Sequence, residues 1–311
     1  MGKSVGRPAP THGPNRDDAP WYARFAGNHC LMTDPANQTA LAIMAVLLIA
    51  LAGSVVAAWR GTPYTFPQWC IYLTNRLFTR VLWRTQVNGT LDLPDDQGAV
   101  IVCNHQSGID PLLIQLSTLR IVQWLVAREY FYMPGISIIF KQLKSIPVNR
   151  GGIDTAATKM AIRCAQEGGL VGLFPEGRVN TTDALLLPGR SGAALIALRA
   201  RVPVVPCYVS GAPYDGTALG SFFMAANARV TIGKPIDLSK YFEREGDRSV
   251  LQDLTKLFLK EIAKLAGDES FEPQIAGRNW KQGEIGAANG NNNHAAAEPV
   301  AAQASAEADG E

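Results

Sequence analysis

The chain has 311 residues, of which 47% are hydrophobic and 18% are charged, and its formal net charge is only +2. This composition excludes a wholly disordered or fibrous chain, and the small net charge gives no reason to expect a nucleic-acid partner. The five cysteines show no C-x-x-C spacing. This pattern disfavours a disulfide framework or a structural zinc site and favours a reducing compartment, so no metal is expected.

Residues 1–34 are rich in Pro, Gly, Asn and charged residues, and they are predicted to form a flexible N-terminal segment. From Pro35 to Trp59 the chain has no charged residue, and about 20 apolar residues are enough to cross a bilayer. We therefore predict an N-terminal membrane helix, which either spans the bilayer or enters it as part of a hairpin. The alternative is a helix buried in a soluble core.

The next segment, residues 65–84, carries two side-chain repeats at helical spacing. The apolar repeat contains Phe66, Trp69, Leu73, Leu77 and Val81, and the basic repeat contains Arg76, Arg80 and Arg84. These repeats predict an amphipathic helix at the headgroup level of a membrane; the alternative is an ordinary amphipathic helix on a soluble core. We assign residues 35–84 to a membrane-anchoring region of the inner membrane, and the arginines after the apolar run favour a cytoplasmic catalytic side.

From residue 85 to 267 the chain alternates strand-like and helix-like runs. Strand candidates lie at residues 99–103, 121–126, 170–174, 202–209 and 228–232, and helix candidates at 111–119, 154–167, 191–200 and 249–266. This alternation predicts an α/β domain, a largely parallel mixed sheet flanked by helices, with its site at the carboxyl ends of the strands. Residues 268–311 are predicted to be a mostly disordered tail.

The first strand candidate of this domain runs directly into a loop that contains Asn104, His105 and Asp110. Pro111 suits the first position of a helix, and Asp110 suits its N-cap. If the loop folds back, a neutral imidazole could accept a proton from a substrate hydroxyl while the carboxylate holds its other nitrogen. The alternative is that His105 is a turn residue and Asp110 only a helix cap. Cys103, inside the apolar strand, is predicted to be a buried and inert thiol.

Three arginines each follow a strand candidate or a short apolar run: Arg128, Arg150 and Arg178. They could converge at one edge of the sheet and bind phosphate, although each alone is typical of a solvated surface residue. Gly177, between Glu176 and Arg178, would allow a close backbone approach. The run at 202–206 contains two prolines and is predicted to be an edge strand or the wall of an acyl-chain pocket.

These segments resemble the glycerolipid acyltransferase family, which includes bacterial 1-acyl-glycerol-3-phosphate acyltransferases. The four sequence blocks of that family occur in order within residues 85–233, at 104–110 (N-H-x-x-x-x-D), 144–150, 174–177 (F-P-E-G) and 202–206. Two blocks depart from the family pattern. Lys144 and Asn149 stand where glycine and an acid are usual, and Arg178 follows Gly177 directly, whereas the family has one residue between them.

The resemblance implies acyl transfer from acyl-coenzyme A or acyl carrier protein to the sn-2 hydroxyl of 1-acyl-glycerol-3-phosphate (lysophosphatidic acid). The product would be phosphatidic acid, and membrane lipid would be a partner. In this reading His105 is the general base, Asp110 orients it, and the hydroxyl attacks the thioester directly. No cofactor is expected beyond the acyl thioester co-substrate. Six further positions are expected to contact substrate: Asn104, Arg128, Arg150, Glu176, Gly177 and Arg178.

Three other functions stay open. The altered second and third blocks suit an acyltransferase for another lysophospholipid or an ornithine-type lipid. A catalytically inactive membrane scaffold with the same fold is a second alternative. A thioesterase with Cys103 as its nucleophile is a third.

Overall fold

The computed structural model describes residues 35–91, 93–149, 154–217 and 220–277. The chain divides into two units, residues 1–69 and 70–311. The predicted flexible segment at residues 1–34 and the chain after residue 277 lie outside the described residues.

Helix α1, Pro35–Arg60, is the main element of the first unit. It has 26 residues, an 18-residue stretch within it has a mean hydropathy of 2.7, and none of its residues is buried. At about 1.5 Å per residue it extends roughly 39 Å, against about 30 Å for the hydrocarbon core of a bilayer. Among the described residues it is the one helix long and apolar enough to cross a membrane. The predicted apolar helix is therefore formed, and its insertion into a membrane stays a prediction.

Aromatic side chains gather where α1 ends. The ring nitrogen of Trp59 donates a hydrogen bond to the carbonyl oxygen of Tyr64 at 2.9 Å. The Trp59 ring meets Phe66 edge-on with a centroid distance of 5.4 Å, and Phe66 stacks on Trp69 at 6.1 Å. These contacts fix the turn that leads into helix α2, Phe66–Val81, which continues into the second unit.

A seven-stranded sheet forms the centre of the second unit, in the strand order β1-β7-β6-β2-β5-β3-β4. Its strands are β1 (Gln86–Asn88), β2 (Ala99–Cys103), β3 (Val122–Ala127), β4 (Ile146–Val148), β5 (Leu170–Leu173), β6 (Val204–Ser210) and β7 (Arg229–Ile232). Strands β6, β2, β5, β3 and β4 run parallel to one another. Strand β7 is antiparallel to β6, and β1 is parallel to β7. The prediction of a largely parallel mixed sheet is confirmed.

The remaining helices lie between the strands, except the last one, which follows β7. They are α3 (Asp110–Ile114), α4 (Arg128–Phe131), α5 (Ser137–Gln142), α6 (Thr155–Gln166), α7 (Gly192–Ala200) and α8 (Arg248–Leu265). Short 3-10 turns occupy Gln115–Ser117, Gly220–Phe223 and Ser239–Arg244. The helix predicted at 111–119 is shorter than expected, because the chain tightens into the first of these 3-10 turns after α3.

The sheet is covered on both faces, which explains why its strands are continuous apolar runs. All five residues of β2 are buried. Val100 and Val102 pack in one cluster with residues of α6, α7 and α8. Ile101 and Cys103 point to the other face and pack with residues of α3 and with Trp83. The end of β2 is thus held from both sides.

Strand β6 lies between β7 and β2, so the prediction of an edge strand at 202–206 is wrong. Its first four residues are buried in the sheet, so residues 204–206 of this run are core, while Pro203, which precedes the strand, lines a surface cavity. Pro206 is tolerated because its missing N–H falls where pairing with β7 is interrupted. The ladder ends at Cys207 and resumes only at the bridge between Val204 and Ile236. Across this gap Gly233 N donates to the carbonyl oxygen of Pro206 at 2.8 Å.

The second unit begins earlier than the predicted boundary at residue 85. Asn75, on α2, is buried and donates from its side chain to the carbonyl oxygen of Leu112 at 2.9 Å. Thr79 and Trp83 are also buried, each 1% exposed. The C-terminal part of the predicted membrane-anchoring region therefore packs on the α/β unit.

The packed chain also continues past the predicted end at residue 267. Gly189 N donates to the carbonyl oxygen of Gln274 at 2.8 Å, and Ala276 N donates to that of Gly189 at 2.9 Å. The ten residues 268–277, predicted as the start of the tail, are therefore tied to the segment before α7.

Candidate active site

The loop after β2 brings His105 and Asp110 together. Asp110 Oδ2 lies 3.0 Å from Nδ1 of His105 and accepts the backbone N–H groups of Gln106 at 2.7 Å and Ser107 at 2.9 Å. The predicted N-cap role of Asp110 is wrong. The cap position is Ile109, and the Asp110 carboxylate is turned back to close the loop.

This hydrogen bond determines which imidazole nitrogen is available. Asp110 is fully buried, and the His105 side chain is 15% exposed. A carboxylate only accepts, so Nδ1 must carry the proton, and Nε2 of the neutral ring then has a free lone pair. The arrangement suits proton abstraction at Nε2, as expected for a loop that folds back.

One face of the imidazole is covered by aromatic rings. The Phe174 ring lies parallel to the His105 ring, with centroids 3.8 Å apart and planes at 4°. Trp124 stacks on the other side of Phe174 at 4.8 Å. A Cβ on Gly172 would lie 2.6 Å from the Trp124 indole, so this glycine provides the space for the stack. The sequence motifs did not identify Trp124. The signal that could have found it is Gly172, because a glycine inside an apolar strand indicates close packing by a neighbouring group.

The side chain of Asn104 faces the backbone of β6. Its side chain is bonded to both backbone groups of Val209, donating to the carbonyl oxygen at 2.8 Å and accepting from N–H at 2.7 Å. The residue is 1% exposed. The prediction that Asn104 binds substrate is therefore not supported, because its amide is used to join the end of β2 to β6. Ser107 makes a similar link, donating from Oγ to the carbonyl oxygen of Pro213 at 2.6 Å.

Glu176 is also buried, at 0% exposure. Its Oε1 accepts the backbone N–H of His105 at 2.8 Å, and its Oε2 accepts that of Leu187 at 2.9 Å. The predicted substrate contact is not supported, because both carboxyl oxygens are occupied by the protein backbone. Glu176 instead anchors the His105 backbone to the segment that precedes α7.

The buried position of Glu176 alters its acidity. Burial raises the pKa of this carboxyl group from 4.5 to about 8, against the lowering effect of the N–H groups of Leu187 and His105, and Asp110 adds to the rise. Near neutral pH the group is therefore mainly protonated.

Gly177 and Arg178 complete the turn after β5. Gly177 has a φ of +69°, a conformation that favours glycine, and its N–H donates to the carbonyl oxygen of Phe174 at 3.0 Å. Gly177 is exposed and Arg178 is half-buried. Both lie at the same edge of the sheet as His105, because β2 and β5 are neighbouring parallel strands.

Arg128 begins α4 at the carboxyl end of β3, the strand next to β5. The pKa of the Asp154 carboxyl is lowered, first by the backbone N–H groups of Ala157 and Asn149 and further by the positive charge of Arg128. Arg128 therefore lies near the N-terminus of α6. Arg150 lies outside the described residues.

Cys103 is fully buried, and burial is the main cause that raises its thiol pKa well above 9.0. A thiol that stays protonated is a poor nucleophile. This environment matches the expectation of an inert thiol and disfavours the thioesterase alternative.

Beyond the His105 loop, two other kinds of ligand site are possible in principle: a surface cavity and a metal site. A surface cavity of about 410 Å³ is lined by residues such as Gln97 and Pro203, which precede β2 and β6 and so lie at the opposite edge of the sheet. Within the described ranges, no three His, Cys, Asp or Glu side chains lie close enough to hold a metal ion.

Comparison with known proteins gives one family. Residues 84–210 match the model of the Acyltransferase family. The chain is 29% identical over 147 residues to 1-acyl-sn-glycerol-3-phosphate acyltransferase of Bacillus subtilis, a match that covers 47% of this chain and 70% of that protein. It is 31% identical over 160 residues to human 1-acyl-sn-glycerol-3-phosphate acyltransferase beta, covering 50% and 57% of the two chains.

A solved structure is also similar. The crystal structure of the 1-acyl-sn-glycerophosphate acyltransferase PlsC from Thermotoga maritima matches with 25% identity and a TM-score of 0.43, covering 58% of this chain and 75% of that one. The matches thus cover 57% to 75% of the length of these three proteins.

Proposed function

The chain belongs to the glycerolipid acyltransferase family through its domain at residues 84–210, and we propose that it transfers an acyl group to the sn-2 hydroxyl of lysophosphatidic acid. The observation that carries the proposal is the hydrogen bond between Nδ1 of His105 and the buried carboxylate of Asp110. Homologues with this activity support the choice of acceptor.

The proposed reaction is a direct acyl transfer. Nε2 of His105 takes the proton of the acceptor hydroxyl as its oxygen attacks the thioester carbonyl carbon. Asp110 stabilises the imidazolium that forms. The carbon–sulfur bond then breaks, and the imidazolium returns its proton to the departing thiolate. This reaction needs no acyl-enzyme intermediate and does not use the buried thiol of Cys103. The donor is acyl-coenzyme A or acyl carrier protein.

We further propose that the enzyme works at a membrane surface. Helix α1 is long and apolar enough to cross a bilayer. Helix α2 presents Leu73, Leu77 and Val81 to solvent, 42%, 60% and 67% exposed, while polar Asn75 and Thr79 lie on its packed face. A helix on an ordinary soluble core shows the opposite distribution. The exposed apolar face, flanked by arginines, suits the headgroup region of an anionic bilayer, with the catalytic unit on the cytoplasmic side.

The exposed face of α2 gives a testable prediction. Replacement of Leu77 by glutamate is expected to reduce acyl transfer to lysophosphatidic acid in anionic vesicles by roughly tenfold, because it places a charge in the lipid-facing stripe. Activity on substrate dispersed in detergent should change little. Met160→Glu is the matched control, since Met160 is 52% exposed on α6, which covers the other face of the sheet. An equal loss in both variants, or none in Leu77→Glu, would count against this membrane contact.

The choice of acceptor is tested by a panel of lysolipids with one labelled acyl donor at a time. Lysophosphatidic acid should give the highest kcat/KM, ahead of lysophosphatidylcholine, lysophosphatidylethanolamine and a lyso-ornithine lipid. Preference for an acceptor without a phosphate monoester would replace the proposed substrate. Absence of transfer to every acceptor, from both donor types, would favour the inactive scaffold.

A further inference from the structure

The side chain of Arg190 rests on Gly177, beside the loop that carries His105. A Cβ placed on Gly177 would lie 3.3 Å from both Cδ and Nε of Arg190. The absence of that Cβ leaves the space that the arginine occupies. Arg190 is exposed, so its charge is presented to solvent at the carboxyl edge of the sheet.

The backbone of Arg190 is fixed to the same turn. Its N–H donates to the carbonyl oxygen of Pro175 at 2.8 Å. Three residues earlier, Leu187 N–H donates to the Glu176 carboxyl, whose other oxygen holds the N–H of His105. One buried carboxyl group therefore positions both the imidazole loop and the segment that ends in Arg190.

The guanidinium of Arg190 has no hydrogen bond or ion pair within the described part of the chain. Other exposed arginines do pair with acids, as Arg201 does with Glu243 at 2.7 Å and Arg244 with Asp247 at 2.7 Å. A positive charge held at the carboxyl edge of the sheet and left unpaired within the described residues is suited to a ligand anion, and a guanidinium can bind phosphate through two parallel hydrogen bonds.

We propose that Arg190, over Gly177, forms a binding subsite for a phosphate group of the substrate. The inference rests on the proposed acyl transfer and names a residue that the sequence blocks do not include. It also bears on the departure in the third block, where Arg178 stands one position closer to Gly177 than in the family. Arg190 places a second guanidinium at that glycine. The phosphate is either the monoester of lysophosphatidic acid or a phosphate of coenzyme A.

The test compares Arg190→Ala with Arg190→Lys. In Arg190→Ala the KM for the phosphate-bearing substrate should rise by roughly tenfold to a hundredfold with kcat much less affected, because a charge-assisted hydrogen bond is lost. Arg190→Lys should recover part of the loss. Arg163→Ala is the matched control, since Arg163 is exposed in the last turn of α6, which leads to the opposite edge of the sheet.

Two substrate pairs identify the source of the phosphate. If it is the acceptor, KM rises for lysophosphatidic acid and not for monoacylglycerol. If it is the donor, KM rises for acyl-coenzyme A and not for acyl-pantetheine. Either result supports the subsite. KM values of Arg190→Ala within about twofold of wild type for all four substrates would overturn it.

A binding measurement separates this inference from the proposed function. If the wild-type enzyme transfers no acyl group, the function is wrong, and equilibrium binding of lysophosphatidic acid and of coenzyme A to the full chain in detergent decides the subsite. Weaker binding of either ligand by Arg190→Ala than by wild type and Arg163→Ala would support the phosphate subsite. Equal binding of both ligands by all three proteins would contradict the phosphate subsite.

Discussion

Replacement of Asp110 by asparagine is expected to lower kcat by about 10²-fold to 10⁴-fold while the fold stays intact. Asparagine keeps an oxygen where Oδ2 accepts the N–H groups of Gln106 and Ser107, so the loop can still close. What is lost is the negative charge that stabilises the imidazolium of His105. The loss should therefore appear in kcat, with KM for either substrate changing little.

Asp110→Ala separates charge from structure. It removes the acceptor of two buried backbone N–H groups as well as the charge, and should reduce the free energy of unfolding by about 2–4 kcal/mol. Steady-state kinetics and urea denaturation in detergent measure the two effects. An Asp110→Asn variant with near wild-type kcat would show that the carboxylate does not assist the base.

The second large effect is expected at Glu176. Glu176→Ala leaves the backbone N–H groups of His105 and Leu187 buried without their acceptor, at a cost of about 1–3 kcal/mol each. Because the same carboxyl group positions the imidazole loop, kcat should also fall by roughly tenfold to a hundredfold. Urea denaturation and kcat measure these effects. A variant as stable and active as wild type would contradict the anchoring role.

The raised pKa of Glu176 predicts how the difference in free energy of unfolding between the wild type and Glu176→Gln changes with pH. The pKa of the carboxyl group is 4.5 before the shift and about 8 in the fold. Between these values the folded chain holds a proton that the unfolded chain has released, so folding becomes less favourable as pH rises. The free energy of unfolding of the wild type, relative to Glu176→Gln, should therefore fall from about pH 5 to about pH 8 and then level off. A difference that stays constant over this range would mean that Glu176 is charged in the fold, because the folded chain would then hold no proton that the unfolded chain has released.

The strands were predictable where local pattern decides the structure. The apolar run at Ala99–Cys103 forms β2 with the predicted bounds, because a strand buried on both faces must be continuously apolar. The position of His105 follows from it, since the loop begins where the strand ends. The contact with Asp110 was expected as a possibility of the loop, and the structure forms it.

Side-chain partners that lie far apart in the sequence were not predictable. Asn104 precedes His105, and Glu176 lies two residues before Arg178; the family resemblance assigned both to substrate contact. Their partners are the backbones of Val209 and Leu187, whose proximity depends on strand order. Strand order also explains why β6 was wrongly predicted to be an edge strand. Two prolines suggest an edge strand, because the sequence does not reveal that the hydrogen bonding between β6 and β7 is interrupted at Pro206.

The site geometry also depends on residues without polar chemistry. The stack of Trp124, Phe174 and His105 forms because Gly172 leaves room on the neighbouring strand. Arg190 reaches Gly177 across a segment of 12 residues that contains no strand or α-helix. Spacing rules for helices and strands give no information on such a contact, so only the folded chain reveals it.

The most direct test of the account is acyl transfer from labelled acyl-coenzyme A to lysophosphatidic acid by the full chain in liposomes, with His105→Ala measured in parallel. The account predicts labelled phosphatidic acid from the wild type and a loss of at least about 10³-fold in the variant, because the proton acceptor at Nε2 is gone. Circular dichroism of both proteins controls for folding. Equal product from the two proteins would show that His105 is not the base and would contradict the proposed mechanism.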